Sequence, residues 1–440
     1  MAGYSSTIYV FVPEETERIR YTFHLIFREI LKVNFELITD RDDWDKYKQE
    51  VTLVYDYQPL ETALHFVPHG LLRQKGINEF DIQTEDWDGL PIFFRVNDST
   101  WPFDPFAASF FLASRYEEYW PHRKDKHGRF PASESVAFKR QFLHLPWINL
   151  VVDRLQKLIE ERFPDFAFPS RSYQFLPTVD VDNAFAFLEK GMVRTLGALL
   201  RSAVTLDSED LKNRISALLG MKKDPFDVFS ELLDLQKQYG LKPIYFFLVG
   251  DYGINDKNVP ISSRKFQALI KHIRDYAEVG LHPSYASSQD PDKLRMELKR
   301  LSQVIHSPVR ISRNHFLKLQ LPGSYRELLD AEIHTDYTMG FPDEYGFRAS
   351  LCTPFSFYDL EMEQRTPLQV VPFCFMEATA RFYKNQSVQE ALAELEKLLE
   401  PIRQVDGQCC VLWHNDSLSE TGDWVGWSGL LEEVIKKAHS

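Results

Sequence analysis

The sequence predicts an α/β protein in which a smaller N-terminal α/β domain precedes a larger unit of about seven parallel strands. Three observations support this fold class. Short apolar strands alternate with amphipathic helices, the alternation becomes regular after Arg171, and polar residues follow the predicted strands at their carboxyl ends. Parallel strands with crossover helices form either a βα barrel or a doubly wound sheet.

Residues 1–168 form the predicted N-terminal α/β domain. Ser6–Val12 alternates between apolar and polar residues like a strand, and residues 14–31 follow with apolar residues at helical spacing. Residues 104–120 begin with Asp-Pro, which suits the cap and first turn of a helix. An amphipathic helix, "PWINLVVDRLQKLIEERF", closes the domain.

Residues 169–440 form the second predicted unit. Its strand candidates are "QFLPTVD", "KPIYFFLVG", "AEVGLH", "VRISR", "IHTDYTM", "LQVVPFCFM" and "CCVLWHN". Amphipathic helices lie between most of them. A helical insertion at about 190–225 interrupts the pattern after the first strand. These patterns assign no role to the N-terminal domain and no oligomeric state to the protein.

The charge and composition exclude several classes of protein. The net charge of -13 comes from 64 acidic and 51 basic residues, and it disfavours a nucleic-acid partner because phosphates are repelled. No run of 18 apolar residues occurs, so we expect no membrane-spanning helix. The N-terminus lacks the pattern of a secretory signal, and four cysteines are too few for a disulfide framework. We therefore expect a cytoplasmic protein.

Ionisable side chains cluster at the carboxyl ends of the predicted strands, where sites form in parallel α/β architectures. They are Asp180 and Asp182 on the first strand, His282 on the third, Arg313 and His315 on the fourth, Asp336 on the fifth, and His414 and Asp416 on the last. Alternation along a strand turns Asp180 and Asp182 to the same side. We expect these groups to meet at one mouth of the fold.

Two neighbouring carboxylates repel each other unless a cation offsets their charge. A divalent metal bound by Asp182 and a histidine would do so, and a set of imidazole and carboxylate ligands suits zinc or a similar ion. Asp180 is then available as a general base, and a histidine across the mouth as a general acid.

In order and spacing, these motifs resemble the NodB-like polysaccharide deacetylases, the carbohydrate esterase family four relatives. The matching stretches are "TVDVD", "EVGLH", an arginine at 313 and "VLWH". More narrowly, the chain looks like Bacteroidetes-type deacetylase-like proteins with an extra N-terminal domain. The resemblance implies a deformed βα barrel with Asp182 and His282 as metal ligands, Asp180 as base, Arg313 orienting the base and His414 as acid.

The chain departs from that family at one position. The second metal histidine of the motif is replaced by Ala286, which cannot bind a metal. His315, two residues beyond Arg313, is the first candidate for the replacement, ahead of Ser284 and water. The residue that orients His414 stays open between Asp336, Glu377 and Asp416.

Three further residues are candidates for substrate binding: Arg348, Trp413 and Asp336. A structural salt bridge is an equal alternative for Arg348, and core packing is an alternative for Trp413.

The expected function is that of a metal-dependent hydrolase, with a divalent ion such as Zn²⁺, that removes an acetyl group from an N-acetylated sugar or glycan precursor. A carbohydrate is therefore the expected partner. One alternative is a catalytically inactive glycan-binding or assembly protein on the same fold, which Ala286 favours. A second is a glycosyltransferase whose D-x-D motif holds Mn²⁺ and a nucleotide sugar. This last hypothesis leaves His282, Arg313 and His414 unexplained.

Overall fold

The computed structural model describes residues 7–61, 63–204 and 208–439. The strands are β1 Thr7–Phe11, β2 Asn34–Ile38, β3 Val51–Tyr55, β4 Leu64–Phe66, β5 Glu85–Trp87, β6 Leu90–Ile92, β7 Gln174–Val181, β8 Ile244–Phe247, β9 Glu278–Leu281, β10 Ile311–Ser312, β11 Thr335–Asp336, β12 Phe355–Asp359, β13 Gln364–Val370, β14 Phe375–Met376 and β15 Gln408–His414. Together they give the mixed α/β architecture that the sequence predicts.

The α-helices lie mostly between these strands. They are α1 Glu17–Phe23, α2 Pro105–Ala113, α3 Val136–Lys139, α4 Trp147–Arg162, α5 Met192–Val204, α6 Ser208–Leu218, α7 Phe229–Tyr239, α8 Arg264–Arg274, α9 Pro291–Ile305, α10 Gly323–Asp330, α11 Val388–Gln404 and α12 Leu430–His439. Two π-helical segments, His24–Ile30 and Thr379–Tyr383, and several 3₁₀ turns, including His315–Leu317, complete the ordered elements. None of the described helices is long and apolar enough to cross a membrane.

The N-terminal part is built on a parallel four-stranded sheet with the order β2-β1-β3-β4. The predicted strand at its start runs from Thr7, while Ser6 lies outside the described residues. The Asp-Pro start of α2 is confirmed, because the Asp104 carboxylate accepts hydrogen bonds from two backbone N–H groups of the first turn. This helix is shorter than expected, since Arg115 adopts a left-handed conformation with φ 54°.

The second part contains a nine-stranded sheet with the order β12-β13-β11-β10-β9-β8-β7-β15-β14. Only the β12–β13 pair is antiparallel, and every other neighbouring pair is parallel. Strands β7 to β11 and β15 correspond to six of the seven predicted strands. Their carboxyl ends point to the same edge of the sheet, as parallel pairing requires.

The predicted strand "LQVVPFCFM" is divided, and a closed seven-stranded barrel is therefore not confirmed. Its first half forms β13 beside β11, and its second half forms β14 beside β15. Pro372 separates them because proline has no N–H to donate to a ladder. The N–H of Phe373 donates to Met339 O (3.1 Å), whereas that of Cys374 donates to Cys410 O (3.1 Å). Residues 371–374 thus connect β13, near one edge of the sheet, with β14 at the opposite edge.

The predicted helical insertion at 190–225 contains α5 and α6. Residues 205–207 between these helices lie outside the described residues. The insertion follows β7 and precedes α7, so it leaves the order of strands in the large sheet unchanged.

The two parts of the chain share one apolar core. A single cluster of buried hydrophobic residues extends from Ile8 in β1 to Ala438 in α12. Polar contacts cross the same boundary, such as the hydrogen bond from Tyr21 Oη to Ser356 O (3.0 Å). The N-terminal part is consequently packed against the large sheet.

Candidate metal centre

Asp182, His282 and His315 bring three potential ligand groups together at the carboxyl edge of the large sheet. Asp182 and His282 directly follow β7 and β9, and His315 lies three residues beyond β10. His282 Nε2 is 3.1 Å from Asp182 Oδ1, and His315 Nε2 is 3.3 Å from Asp182 Oδ2. The three ligand atoms lie within 4.8 Å of one another. This spacing is compatible with a shared cation.

The outer nitrogen of each imidazole already has an acceptor. His282 Nδ1 donates to the backbone carbonyl of Arg313 (2.5 Å), and His315 Nδ1 donates to Asp256 Oδ1 (2.9 Å). In the neutral tautomers fixed by these bonds, both Nε2 atoms present lone pairs toward the Asp182 carboxylate. When both imidazoles are neutral, these acceptors face one another and need a metal ion or a proton between them. Two imidazoles and one carboxylate with such outer partners form a donor set that fits zinc.

Asp256 is a functional candidate that no sequence motif marks. It lies in the loop after β8, in "DYGIND", and only its acidic character hints at a role. Its buried carboxylate accepts hydrogen bonds from the N–H groups of Tyr285 (2.7 Å) and Ala286 (3.2 Å) as well as from His315. The backbone N–H of Ala286 therefore helps to hold the Asp256 carboxylate, which in turn accepts the hydrogen bond from His315.

The charges of this cluster shift its pKa values in opposite directions. Burial disfavours the His315 imidazolium, but the carboxylates of Asp182 and Asp256 outweigh it and raise the pKa of His315 to about 9. Partial burial acts to raise the pKa of Asp182, but the two imidazoles hold it well below the usual range. Without a cation, His315 keeps a proton at neutral pH, and a metal has to displace that proton on binding.

Asp180 lies beside the cluster and is held by Arg313. The fully buried guanidinium of Arg313 donates to Asp180 Oδ1 (3.0 Å), to Thr178 Oγ1 (2.7 Å) and to the carbonyl of Tyr337 (3.0 Å). The other oxygen, Asp180 Oδ2, is 3.8 Å from His282 Nε2. The arginine compensates the second carboxylate and leaves one of its oxygens facing the cluster.

His414 stands on the other side of Asp180, since β15 pairs with β7 in a register that places the two residues next to each other. Glu377 follows β14, and its Oε1 accepts from the His414 N–H (2.7 Å) and from His414 Nδ1 (2.9 Å). Burial opposes the charged imidazole, but Glu377 overcomes it and raises the pKa of His414 well above its ordinary value. Of the three candidates for orienting His414, Glu377 makes these contacts.

Asp336 and Asp416 have other surroundings. Asp336 is buried and accepts hydrogen bonds from Ser312 and Thr338. Asp416 lies near His414, and burial raises its pKa to about 6.

A cavity of about 480 Å³ opens above these groups. Its floor contains Asp180, Asp182, His282, His315, His414 and Asp416, and its walls include Phe316, Phe382, Tyr383 and Trp424. Lys126, His127 and Arg129 from the N-terminal part also line it. Aromatic walls around a polar floor suit a small polar ligand with apolar faces.

The three predicted substrate-binding residues do not lie in this cavity. Arg348 is fully buried and forms a two-pronged ion pair with Glu118 (2.8 and 2.6 Å), so its donors face the N-terminal part. Trp413 is 2% exposed and stacks near Phe375, with ring centroids 6.4 Å apart. Asp336 is fully buried within its own hydrogen bonds. The sequence shows neither the partner of an arginine nor the side of the sheet on which a tryptophan packs.

Comparisons with known proteins give partial matches. A model of a family of unknown function (DUF7033) matches residues 8–164. No curated protein sequence matches the chain.

Several solved structures are similar to the chain, and three illustrate the range. A candidate polysaccharide deacetylase from Mycobacterium smegmatis is 13% identical, covers 62% of this chain and 86% of its own, and has a TM-score of 0.40. Puue allantoinase is 10% identical, covers 62% of this chain and 88% of its own, and has a TM-score of 0.38. A CE4 family pseudoenzyme from Bacillus anthracis is 10% identical, covers 60% of this chain and 62% of its own, and has a TM-score of 0.31.

Proposed function

We propose that the protein is a metal-dependent hydrolase that removes an acetyl group from an N-acetylated sugar or glycan precursor. The observation that carries this proposal is the meeting of Asp182, His282 and His315 around one point, with Asp180 and His414 beside it. The family resemblance of the motifs supports the same roles. Asp182, His282 and His315 would hold the ion.

A bound divalent ion such as zinc supplies Lewis acidity toward water and toward an amide carbonyl. Asp180 accepts a proton from the attacking water, and the hydrogen bond from Arg313 keeps the Asp180 carboxylate oriented. As the new C–O bond forms and the C–N bond breaks, His414 donates a proton to the departing nitrogen. The products are acetate and a free amine. Glu377 keeps His414 protonated for this step.

The catalytically inactive alternative draws on one observation, which is Ala286 in place of a metal-binding histidine. It predicts weak or absent metal binding. The glycosyltransferase alternative gives no role to the Arg313–Asp180 and Glu377–His414 pairs, and no observation favours it.

The proposal is tested by metal analysis and acetate release on protein purified without chelator. We expect the wild-type protein to hold close to one equivalent of zinc or a similar ion and to release acetate from N-acetylglucosamine or its oligomers. Asp182→Asn should lose both properties. Asp180→Asn should keep the metal and lose activity by about a hundredfold to ten-thousandfold, because only the base is removed.

Asp251→Asn serves as the control, since Asp251 is exposed in the loop after β8 and pairs with Arg300 outside the cavity. It should match the wild type in both measurements. Less than a tenth of an equivalent of metal in the wild-type protein after incubation with zinc would overturn the proposal in favour of the inactive alternative.

A further inference from the structure

Residues 124–130 form a loop of the N-terminal part that reaches the candidate metal centre. Lys126, His127 and Arg129 of this loop line the cavity. His127 packs against Phe316 (ring centroids 4.9 Å apart), and Phe316 packs against His315 (4.6 Å). The loop therefore forms the cavity wall on the His315 side.

The loop is held in shape by its own hydrogen bonds. Asp125 Oδ1 accepts from the N–H groups of His127 (2.8 Å) and Arg129 (2.9 Å), and the Asp125 carbonyl accepts from the N–H of Gly128 (2.9 Å). Gly128 has a φ of +76°, a conformation that glycine adopts without strain. These contacts fix the direction in which the intervening side chains point.

Arg129 fastens the loop to the large sheet unit. It is 3% exposed, pairs with Asp125 (2.7 Å), and donates to the carbonyl of Phe316 (2.5 Å) and to Tyr383 Oη (3.3 Å). Gln320 Nε2 donates to the Gly128 carbonyl (2.9 Å) from the same side. The guanidinium of Arg129 is thus used in holding the loop in place.

Lys126 and His127 are the two residues of the loop whose polar side-chain atoms reach the cavity without a protein partner among the described residues. Among the contacts of the described residues, no hydrogen bond or ion pair engages the Lys126 amine or either nitrogen of the His127 ring. His127 lies between Phe316 and Tyr285, whose ring centroid is 5.8 Å away. A rigid loop therefore presents an ammonium group and a ring nitrogen to a cavity whose floor holds three aspartates and three histidines.

We propose that Lys126 and His127 bind an anionic group, a phosphate or a carboxylate, of the N-acetylated substrate. The inference rests on the proposed function and narrows its substrate class. Lys126 supplies the charge and His127 a hydrogen bond, and a charge-assisted bond of this kind is stronger than a neutral one.

Calorimetric binding to the zinc-loaded protein tests this inference, with Asp180→Asn present in every sample to stop turnover. The probes are N-acetylglucosamine, its 6-phosphate, and the uronic acid in which a carboxylate replaces the 6-hydroxymethyl group. We expect at least one charged probe to bind about tenfold to a hundredfold more tightly than the neutral sugar. The tighter of the two charged probes identifies the group.

Lys126→Ala should remove most of this preference, and His127→Ala part of it. Lys124→Ala is the matched control, because Lys124 is exposed in the same loop and does not line the cavity, and it should keep the preference. The inference would be overturned if the protein with an unchanged loop bound all three probes with equal affinity. It would also be overturned if Lys126→Ala left the preference for a charged probe intact. The latter result would point to the metal as the anion's partner.

The two proposals fail separately. A preference for a charged probe that depends on Lys126, without acetate release, would contradict the proposed hydrolase activity and support the anion site. Acetate release together with equal binding of the three probes would support the proposed hydrolase activity and contradict the anion site.

Discussion

The contact between Asp256 and His315 turns an otherwise ordinary histidine into a candidate metal ligand. An ionised carboxylate behind an imidazole fixes the tautomer and raises the basicity of the opposite nitrogen. Here the carboxylate is itself held by two backbone N–H groups, one of them from Ala286. The alanine at 286 and the histidine at 315 are thus connected through the Asp256 carboxylate.

Asp256→Asn tests this arrangement. The amide can still accept a hydrogen bond from His315 but lacks the negative charge, so zinc affinity should fall by about tenfold to a hundredfold. A competition titration with a zinc-binding dye measures the change. Asp251→Asn, in the same loop, should leave the affinity unchanged, and equal affinities in both variants would show that Asp256 does not support the site.

Glu377→Gln tests the proton donor. Glu377 raises the pKa of His414 well above its ordinary value, so the imidazole keeps its proton to high pH. Removing the charge lowers the pKa of His414, and the alkaline limb of kcat should therefore move to lower pH. A pH–rate profile of acetate release measures this shift. An unchanged alkaline limb with lower kcat would indicate that His414 is not the acid.

At this scale, the sequence is informative wherever a short motif fixes both residue type and position. Asp180, Asp182, His282, Arg313 and His414 do lie together around the cavity floor or directly beneath it. Arg348, Trp413 and Asp336 lie elsewhere, because their environments depend on packing partners far along the chain. Asp256 lies in no motif, and its contacts depend on the path that its loop takes in the folded protein.

Among the elements, the divided strand at Pro372 shows what periodicity cannot reveal. The apolar run 368–376 has the composition of one buried strand, and the proline in it is the only local sign of a break. The division depends on the neighbours, because β13 pairs with β11 and β14 with β15. Strands β7 to β11 and β15 were predictable because each contains a short apolar run, whereas β12 is not among the predicted strands.

Gly346→Ala tests the close approach of two elements. Gly346 has a φ of +113°, and an added Cβ would lie 2.3 Å from the carbonyl oxygen of Leu143 in the N-terminal part. Both the conformation and the backbone contact oppose a side chain, so the free energy of unfolding should fall by at least about 2 kcal/mol. Urea denaturation measures it.

Gly323→Ala in α10 is the matched control, since nothing lies within 4 Å of its added Cβ and its φ is not positive. It should change the free energy of unfolding by no more than about 1 kcal/mol. Equal losses in the two variants would contradict the role of the Gly346–Leu143 contact.

At the scale of the whole molecule, buried charges join the two parts of the chain. Glu118 accepts from Arg348 and from Arg115, and all three side chains are almost fully buried. Burial acts to raise the pKa of Glu118, but the two arginines lower it to about 2. The carboxylate therefore stays ionised between the N-terminal part and the large sheet unit.

Arg348→Leu should lower the free energy of unfolding by about 3–5 kcal/mol, because it leaves a buried carboxylate with one partner fewer. Arg95→Leu, which removes an exposed pair with Glu85, should cost about 1 kcal/mol or less. Chemical denaturation measures both, and we expect one transition because the parts share a core. Two separate transitions in the wild-type protein would contradict this expectation.

The sequence predicts the alternation of strands and helices across the whole molecule but not the shared core. Apolar spacing identifies which residues of α1 or α4 are inward-facing, whereas it does not say which distant surface they cover. The division at residue 168 thus stays a prediction about chain organisation, and the contacts across it are a property of the fold.

The divided strand also has a mechanical consequence. Residues 371–374 are the short connection between the side of the sheet that carries Arg313 and the side that carries His414. Glu377 follows this connection at a distance of three residues. An inserted residue there would displace Glu377 from His414, whereas the pairing of β15 with β7 would keep His414 beside Asp180.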